Sequence, residues 1–200
     1  MKAPWTVSDL PLPTAASEVI VPREYPYLVA SLPLLEFGEE PPMTAEELVA
    51  FCAGLLSSAD LATLELVVAG RIDDIDDPGA YTIMRRERQL RNAVARHRAG
   101  RAGVDSTRYV RPHEGWDVEI EDVVGQAMVT TDPLERESML DRLRWQLLEE
   151  AAAIPEYGVQ AVYAYAPRLA LMEKWQQLTD ERGMGVAEQI IDSNIAEISV

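Results

Sequence analysis

Glu87 and Arg91 stand four residues apart in Arg85-Arg86-Glu87-Arg88-Gln89-Leu90-Arg91-Asn92, the stretch of this chain best spaced for ionic chemistry. On a helix, that spacing and order bring the carboxylate and the guanidinium together on one face. Ile83, Leu90 and Val94 form an apolar stripe on the same helix, and Glu87 falls in the middle of it. A carboxylate on a buried stripe is costly unless it is paired. Two chemistries meet that cost. One is a structural ion-pair network centred on Glu87, with Arg91 and Arg98 on the shoulder of the stripe and Arg144 and Glu173 supplied by later helices. The other is a general acid or base of raised pKa working with Arg91 or His97. Arg85, Arg88 and Arg96 point largely away from the stripe, as does Asn92. With Arg101, these arginines form the candidate partner-binding set.

Nothing else in the chain supports catalysis, and the reading assigns no catalytic residue, cofactor or metal. His97 lies near the stripe edge and His113 in a loop, without metal-ligand spacing or a neighbouring cysteine. Arg71-Ile72-Asp73-Asp74-Ile75-Asp76-Asp77-Pro78-Gly79 carries four aspartates, but an EF-hand frame fails because Arg85 stands where a glutamate is required. Cys52 shares an apolar helical face with Leu48, Phe51 and Leu55, which reads as core rather than nucleophile. Gly183-Met184-Gly185 lacks the third glycine and the preceding strand of a dinucleotide site.

The charge balance sharpens the question. The chain has a formal net charge of -16, yet seven arginines fall between Arg85 and Arg101. An acidic body repels nucleic acid and offsets any gain from that window. Residues 82–108 contain no aromatic residue to stack on bases. Arginine in preference to lysine fits directed pairing with carboxylates, and equally a GC-rich coding bias. The single cysteine fits a reduced, cytoplasmic setting. Residues 1–25 carry no signal-peptide pattern, and no window is apolar enough to span a membrane.

The elements that must position these residues are helices. Eight of the thirteen prolines lie in residues 1–42, so residues 1–24 read as a flexible Pro-rich tail and 25–200 as a single helical domain. Tyr25 to Pro33 is expected to be a short buried extended segment. Thr44-Ala45-Glu46-Glu47 is a capping box opening a helix to about Ser57, and a second runs from about Ala59 to Ala69 with Gly70 as its stop. The arginine helix covers about 80–99. Helices follow over about 118–130, 133–153, 158–178 (with a kink or fresh start at Pro167) and 185–197. Leu140, Leu143, Leu147, Ala151 and Ile154 form one seam of the 133–153 helix. Leu134, Trp145, Leu148 and Ala152 form another, so this helix should be buried on two sides. The fold class is all-α, a single helical bundle with one short extended piece.

Tyr27-Leu28-Val29-Ala30-Ser31-Leu32-Pro33, Pro42-Met43-Thr44, Glu87…Leu90-Arg91-Asn92 with Arg98, Asp132-Pro133-Leu134-Glu135, Asp141…Arg144-Trp145 and Tyr163-x-Tyr165…Leu169…Glu173-x-Trp175 together resemble a bacterial family of unknown function encoded beside V/A-type ATPase subunits. The resemblance implies a helical counterpart of the ATPase C (d) subunit, which caps the rotor ring and receives the central stalk. It implies a non-catalytic subunit or assembly factor of an ion-translocating ATPase. The expected partners are rotor-ring or central-stalk subunits, with the membrane reached only through the complex and no nucleic acid bound. Two rival readings stand beside it: an Arg-mediated binder of nucleic acid or acidic protein using residues 85–111, and a small enzyme built on Glu87.

Overall fold

Local signals in the sequence start most of the helices. In the computed structural model, which describes residues 23–178, they are α1 (Pro26–Ser31), α2 (Ala45–Cys52), α3 (Ser58–Val68), α4 (Tyr81–Ala102), α5 (Val118–Val129), α6 (Pro133–Ala152) and α7 (Val159–Gln177). Thr44 and Glu47 close the expected capping box on α2. Ser57, Asp117 and Asp132 each accept a backbone N–H from the first turn of α3, α5 and α6, satisfying a donor that has no partner inside the helix. Pro133 occupies the first turn of α6, where its missing N–H costs nothing. Gly103 takes a left-handed φ of 64° to end α4. Pro167 lies inside α7 without dividing it.

Two elements depart from expectation. The helix expected to run to about Ser57 ends at Cys52, and of its expected apolar face Leu48 and Cys52 are buried while Phe51 and Leu55 are exposed. Tyr25–Pro33 is not extended: Pro26 begins a short helix, which stops before Pro33 with Leu32 in extended backbone. Tyr27 is exposed and only Leu28 of this helix is buried, so α1 is a surface turn pinned by one leucine. The only sheet-like pairing among the described residues is an isolated bridge between Glu24 and Gly158. Arg23 and Glu24, assigned to the tail from composition, are fixed to the start of α7: Val159 N–H donates to Arg23 O at 2.8 Å. The rest of the expected tail and the helix over 185–197 lie outside the described residues.

The core has two apolar clusters, and α6 contributes to both. Trp145, Leu148 and Ala151 pack into one with α3 and α7, around the fully buried Tyr163, Leu64 and Leu169. Leu140, Leu143 and Leu147 pack into the other with Leu90 and Val94 of α4 and Ile120 and Val124 of α5. The two seams of α6 therefore face two cores, except that Ala151, expected beside Leu147, packs with Trp145 and Leu148, and that Leu134 in its first turn and Ile154 just past its end are exposed. The central ionisable residues sit where α4, α6 and α7 meet, between these clusters.

Candidate functional site

Glu87 is held from both sides. Its Oε1 accepts from Arg91 Nε at 2.8 Å, the i,i+4 pair read from the sequence, and its Oε2 accepts from Arg144 Nε of α6 at 3.2 Å. Arg144 turns its other edge to Asp141 one turn earlier, at 2.7 Å. The Asp141 side chain is fully buried, and its second oxygen accepts from Lys174 Nζ at 2.6 Å and Trp175 Nε1 at 3.1 Å. Lys174 also pairs with Glu137. Burial pulls the Arg144 guanidinium and the Lys174 ammonium toward deprotonation. Glu87 and Asp141 outweigh it for Arg144, Asp141 and Glu137 outweigh it for Lys174, and both groups end above their ordinary values. The network is a chain of alternating charge crossing from α4 through α6 to α7.

Two residues expected in this network are placed elsewhere. Glu173 faces the start of α2, where it accepts from Ala45 N–H at 3.1 Å, an acid at the positive end of a helix. Arg98 is exposed, and no carboxylate among the described residues pairs with it. It lies two turns beyond Arg91 on α4, out of reach of Glu87.

Most of the outer arginines are also occupied within the protein. Arg88 pairs with Asp73 at 2.8 Å, and Arg96 donates to both oxygens of Glu121 while stacking over Trp116. Arg101 donates to Met128 O, and Arg85 reaches Glu114 O at 3.5 Å. The aspartate-rich loop is explained the same way: Asp73, Asp74 and Asp77 pair with Arg88, Arg71 and Arg23.

Asn92, expected to point outward, is buried. Its Oδ1 accepts from Arg111 N–H at 2.8 Å and its Nδ2 donates to Arg111 O at 2.7 Å. One turn earlier Gln89, also buried, makes the same two-way pairing with the backbone of Asp117. The segment after Gly103 folds back along α4, and these two amides stand in for a strand that would otherwise satisfy its backbone. Asn92→Ala is expected to cost about 1–2 kcal/mol, because exposed Arg111 can turn to water. Chemical denaturation reads the loss, and faster amide exchange confined to residues 104–117 reads its location.

A second buried ionic node has no counterpart in the sequence reading. Asp60, with no exposed side-chain surface, accepts from Ser57 Oγ at 2.8 Å, Tyr163 Oη at 3.2 Å, Tyr25 Oη and Arg23. Asp77 accepts from the other arm of Arg23 at 2.5 Å, Gly79 N–H at 2.6 Å, Thr63 Oγ1 and Tyr163 Oη, both at 3.3 Å. Burial raises the Tyr163 hydroxyl far above its ordinary value, and the charges of Asp77 and Asp60 add to it, so the phenol remains a donor. The local signals for this node were Ser57-x-x-Asp60 and Asp77-Pro78. Each reads as a cap, and nothing in the sequence joins them.

Two hollows flank the central network and share Arg91 and Arg144 as lining. One, of about 280 Å³, is apolar and walled by Ile75, Ile83, Leu148 and Leu171, with Glu87 and Lys174 at its edge. The other, of about 530 Å³, runs along the second half of α4 over Val94, Ala95, Ala99 and Leu140, with Arg98 and Glu137 at its edge. Among the described residues no cluster of His, Cys, Asp and Glu has the geometry of a metal site. Cys52 is buried, and burial pushes its thiol up to about 11, which leaves it protonated. No described helix is long and apolar enough to cross a membrane.

Together these observations define an all-α chain with two closed ionic nodes and a cation-edged groove. Residues 118–198, covering α5 to α7 and the sequence beyond, match a protein family described as Protein of unknown function (DUF2764). The matched stretch contains Asp132-Pro133, Asp141, Arg144 and the Tyr163-to-Trp175 run. No curated protein and no solved structure matches the chain.

Proposed function

We propose that this chain is a non-catalytic helical subunit or assembly factor of a V/A-type ion-translocating ATPase, acting by binding other proteins. The observation that carries the non-catalytic, protein-binding part is the contrast between the network and the groove beside it. Both oxygens of Glu87 are taken by the protein's own arginines, and Asp141 and Asp60 are saturated in the same way. The adjoining groove is apolar and open, a surface suited to another protein. The internal use of Arg88, Arg96 and Arg101 favours a protein partner over nucleic acid. The ATPase itself enters through the resemblance of about residues 25–192 to the family encoded beside such enzymes, a C (d)-like rotor-stalk adaptor being its most specific form. In that setting the chain sits in the cytoplasm and meets the membrane only through the complex.

The test is reciprocal affinity purification from the native host, with the chain tagged at its chromosomal locus. Rotor or central-stalk subunits are expected to co-purify at stoichiometric levels, and tagged stalk subunits to retrieve this chain. Failure of the chain and the rotor or stalk subunits to retrieve one another in either direction would count decisively against the reading.

A further inference from the structure

We infer that the groove along α4 is the seat of an acidic amphipathic helix contributed by a partner protein. The inference rests on the protein-binding reading above, but not on the partner's being an ATPase.

The two hollows share Arg91 and Arg144 as lining, and the α4 residues that line them together run from Ile83 to Ala102. At 1.5 Å per residue that is about 28 Å, or roughly five helical turns. The floor suits a helix. Ala95, Ala99 and Ala102 recur at helical spacing and keep side-chain bulk off the stretch where a second backbone must approach. The apolar side chains beneath them, Val94 and Leu140, belong to the core and are rigidly placed.

Charge selects the chemistry of that helix. Four cations (Arg91, Arg98, Arg144 and Lys174) edge the groove against two acids, Glu87 and Glu137, in a protein of net charge -16. Both acids are already paired within the protein, with Arg91, Arg144 and Lys174, and Arg144 and Lys174 also hold Asp141. Arg98, by contrast, pairs with no described carboxylate, and half of the Arg91 side chain is exposed. A carboxylate reaching these two arginines from a seated helix gains charge-assisted hydrogen bonds that the free protein leaves to water. A basic or neutral helix gains only the apolar floor. A nucleic acid meets the acidic remainder of the surface, and of the aromatic residues only Tyr109 lines the groove.

The probe is a fluorescein-labelled peptide of about 18 residues, five helical turns of Leu, Ala and Glu with one apolar face. A permuted peptide of identical composition with no apolar face is its control. Fluorescence anisotropy with the full chain is expected to show saturable binding, at least about tenfold tighter for the amphipathic peptide. Ala95→Trp fills the groove and is expected to weaken that binding about tenfold or more, while thermal unfolding shows the fold retained. Arg98→Glu is expected to weaken it less and to flatten its salt dependence. Equal binding of both peptides, or indifference to Ala95→Trp, overturns the inference.

A photo-crosslinker at Ala102 of the isolated full chain completes the test. An adduct to residues 179–200 of the same molecule, or to a second copy, means the groove has an occupant from this chain and also overturns it. With peptide binding as expected, absence of such an adduct supports it. The two readings fail separately. If ATPase subunits co-purify with the chain but the amphipathic peptide binds no better than its control, the groove assignment falls and the ATPase reading stands. If the peptide binds as expected but no ATPase subunit co-purifies, the reverse holds.

Discussion

Asp141→Asn is expected to destabilise the protein by about 3 kcal/mol or more, the largest loss of any single change in the central network. Its side chain has no exposed surface, and it separates two cations: Arg144 at 2.7 Å on one oxygen and Lys174 at 2.6 Å on the other. The asparagine keeps the size and can still accept one hydrogen bond. It removes the charge that holds both cations, and it turns an amide N–H₂ toward one of them. Deleting one partner of a buried ionic network costs about 3–5 kcal/mol, because the remaining charges stay desolvated. The low end applies, since the Lys174 side chain is 37% exposed and keeps Glu137 as a second partner. The cause is separable from simple loss of packing. Adding Lys174→Met to Asp141→Asn removes a cation that Asp141 no longer holds and should restore about 1 kcal/mol or more, a coupling that independent sites would not show. Urea denaturation of the four proteins of this cycle measures it. A loss for Asp141→Asn below about 1 kcal/mol, within the ordinary range for point changes, would sink the claim that Asp141 is the central node.

What could be read from the sequence follows the range of each interaction. Thr44, Asp132 and Gly103 act within a few residues of their partners, and the helix boundaries they set are found within about three residues of expectation. Glu87 with Arg91 is likewise a property of one helix. Arg144 was accessible because the two seams of α6 leave it facing the helix that must cover them. Glu173 and Arg98 were misplaced for the complementary reason: each shares a helical face with the network, but helix crossing decides which turn meets which. Asn92 was misjudged because the chain after Gly103 doubles back to cover it. A periodicity argument treats any position off the apolar stripe as facing water. A buried amide needs only a backbone to pair with, and Gln89 and Asn92 three residues apart were the available hint. In α1, a segment of six residues carries too little periodicity to separate helix from strand, and Pro26 at its start was the better guide. The Asp60–Asp77 node was beyond local reading. Its bonds join residues 37, 54 and 86 positions apart.

That node carries the second large prediction. Arg23→Met is expected to cost about 2–4 kcal/mol at pH 7, somewhat below the full penalty for orphaning a buried charge because Arg23 is itself 39% exposed. Among the described residues Arg23 is the one cation bonded to either Asp60 or Asp77, and its side chain stitches the start of the described chain to α3 and to the turn before α4. The pH dependence gives the prediction its signature. Burial by itself raises the Asp77 carboxyl; the Arg23 guanidinium, the Gly79 N–H and the Thr63 hydroxyl outweigh it, and the net result lies below the ordinary value. A depressed folded-state pKa contributes stability above the unfolded carboxylate pKa of about 3.9, and that stability is lost as pH falls through the folded value. Without Arg23 two of the lowering contributions are lost and the folded value rises, so the stability that ionised Asp77 contributes above the unfolded value shrinks. Wild type and Arg23→Met should therefore differ most at neutral pH, with the gap narrowing toward pH of about 4. Tyr163, Tyr25 and Ser57 remain to donate to Asp60 in both proteins, so they do not generate the difference. Urea titrations at the two pH values read the gap directly. A gap that stays constant or widens toward acid would mean that Arg23 stabilises the fold by packing its aliphatic stem rather than by holding Asp77 ionised.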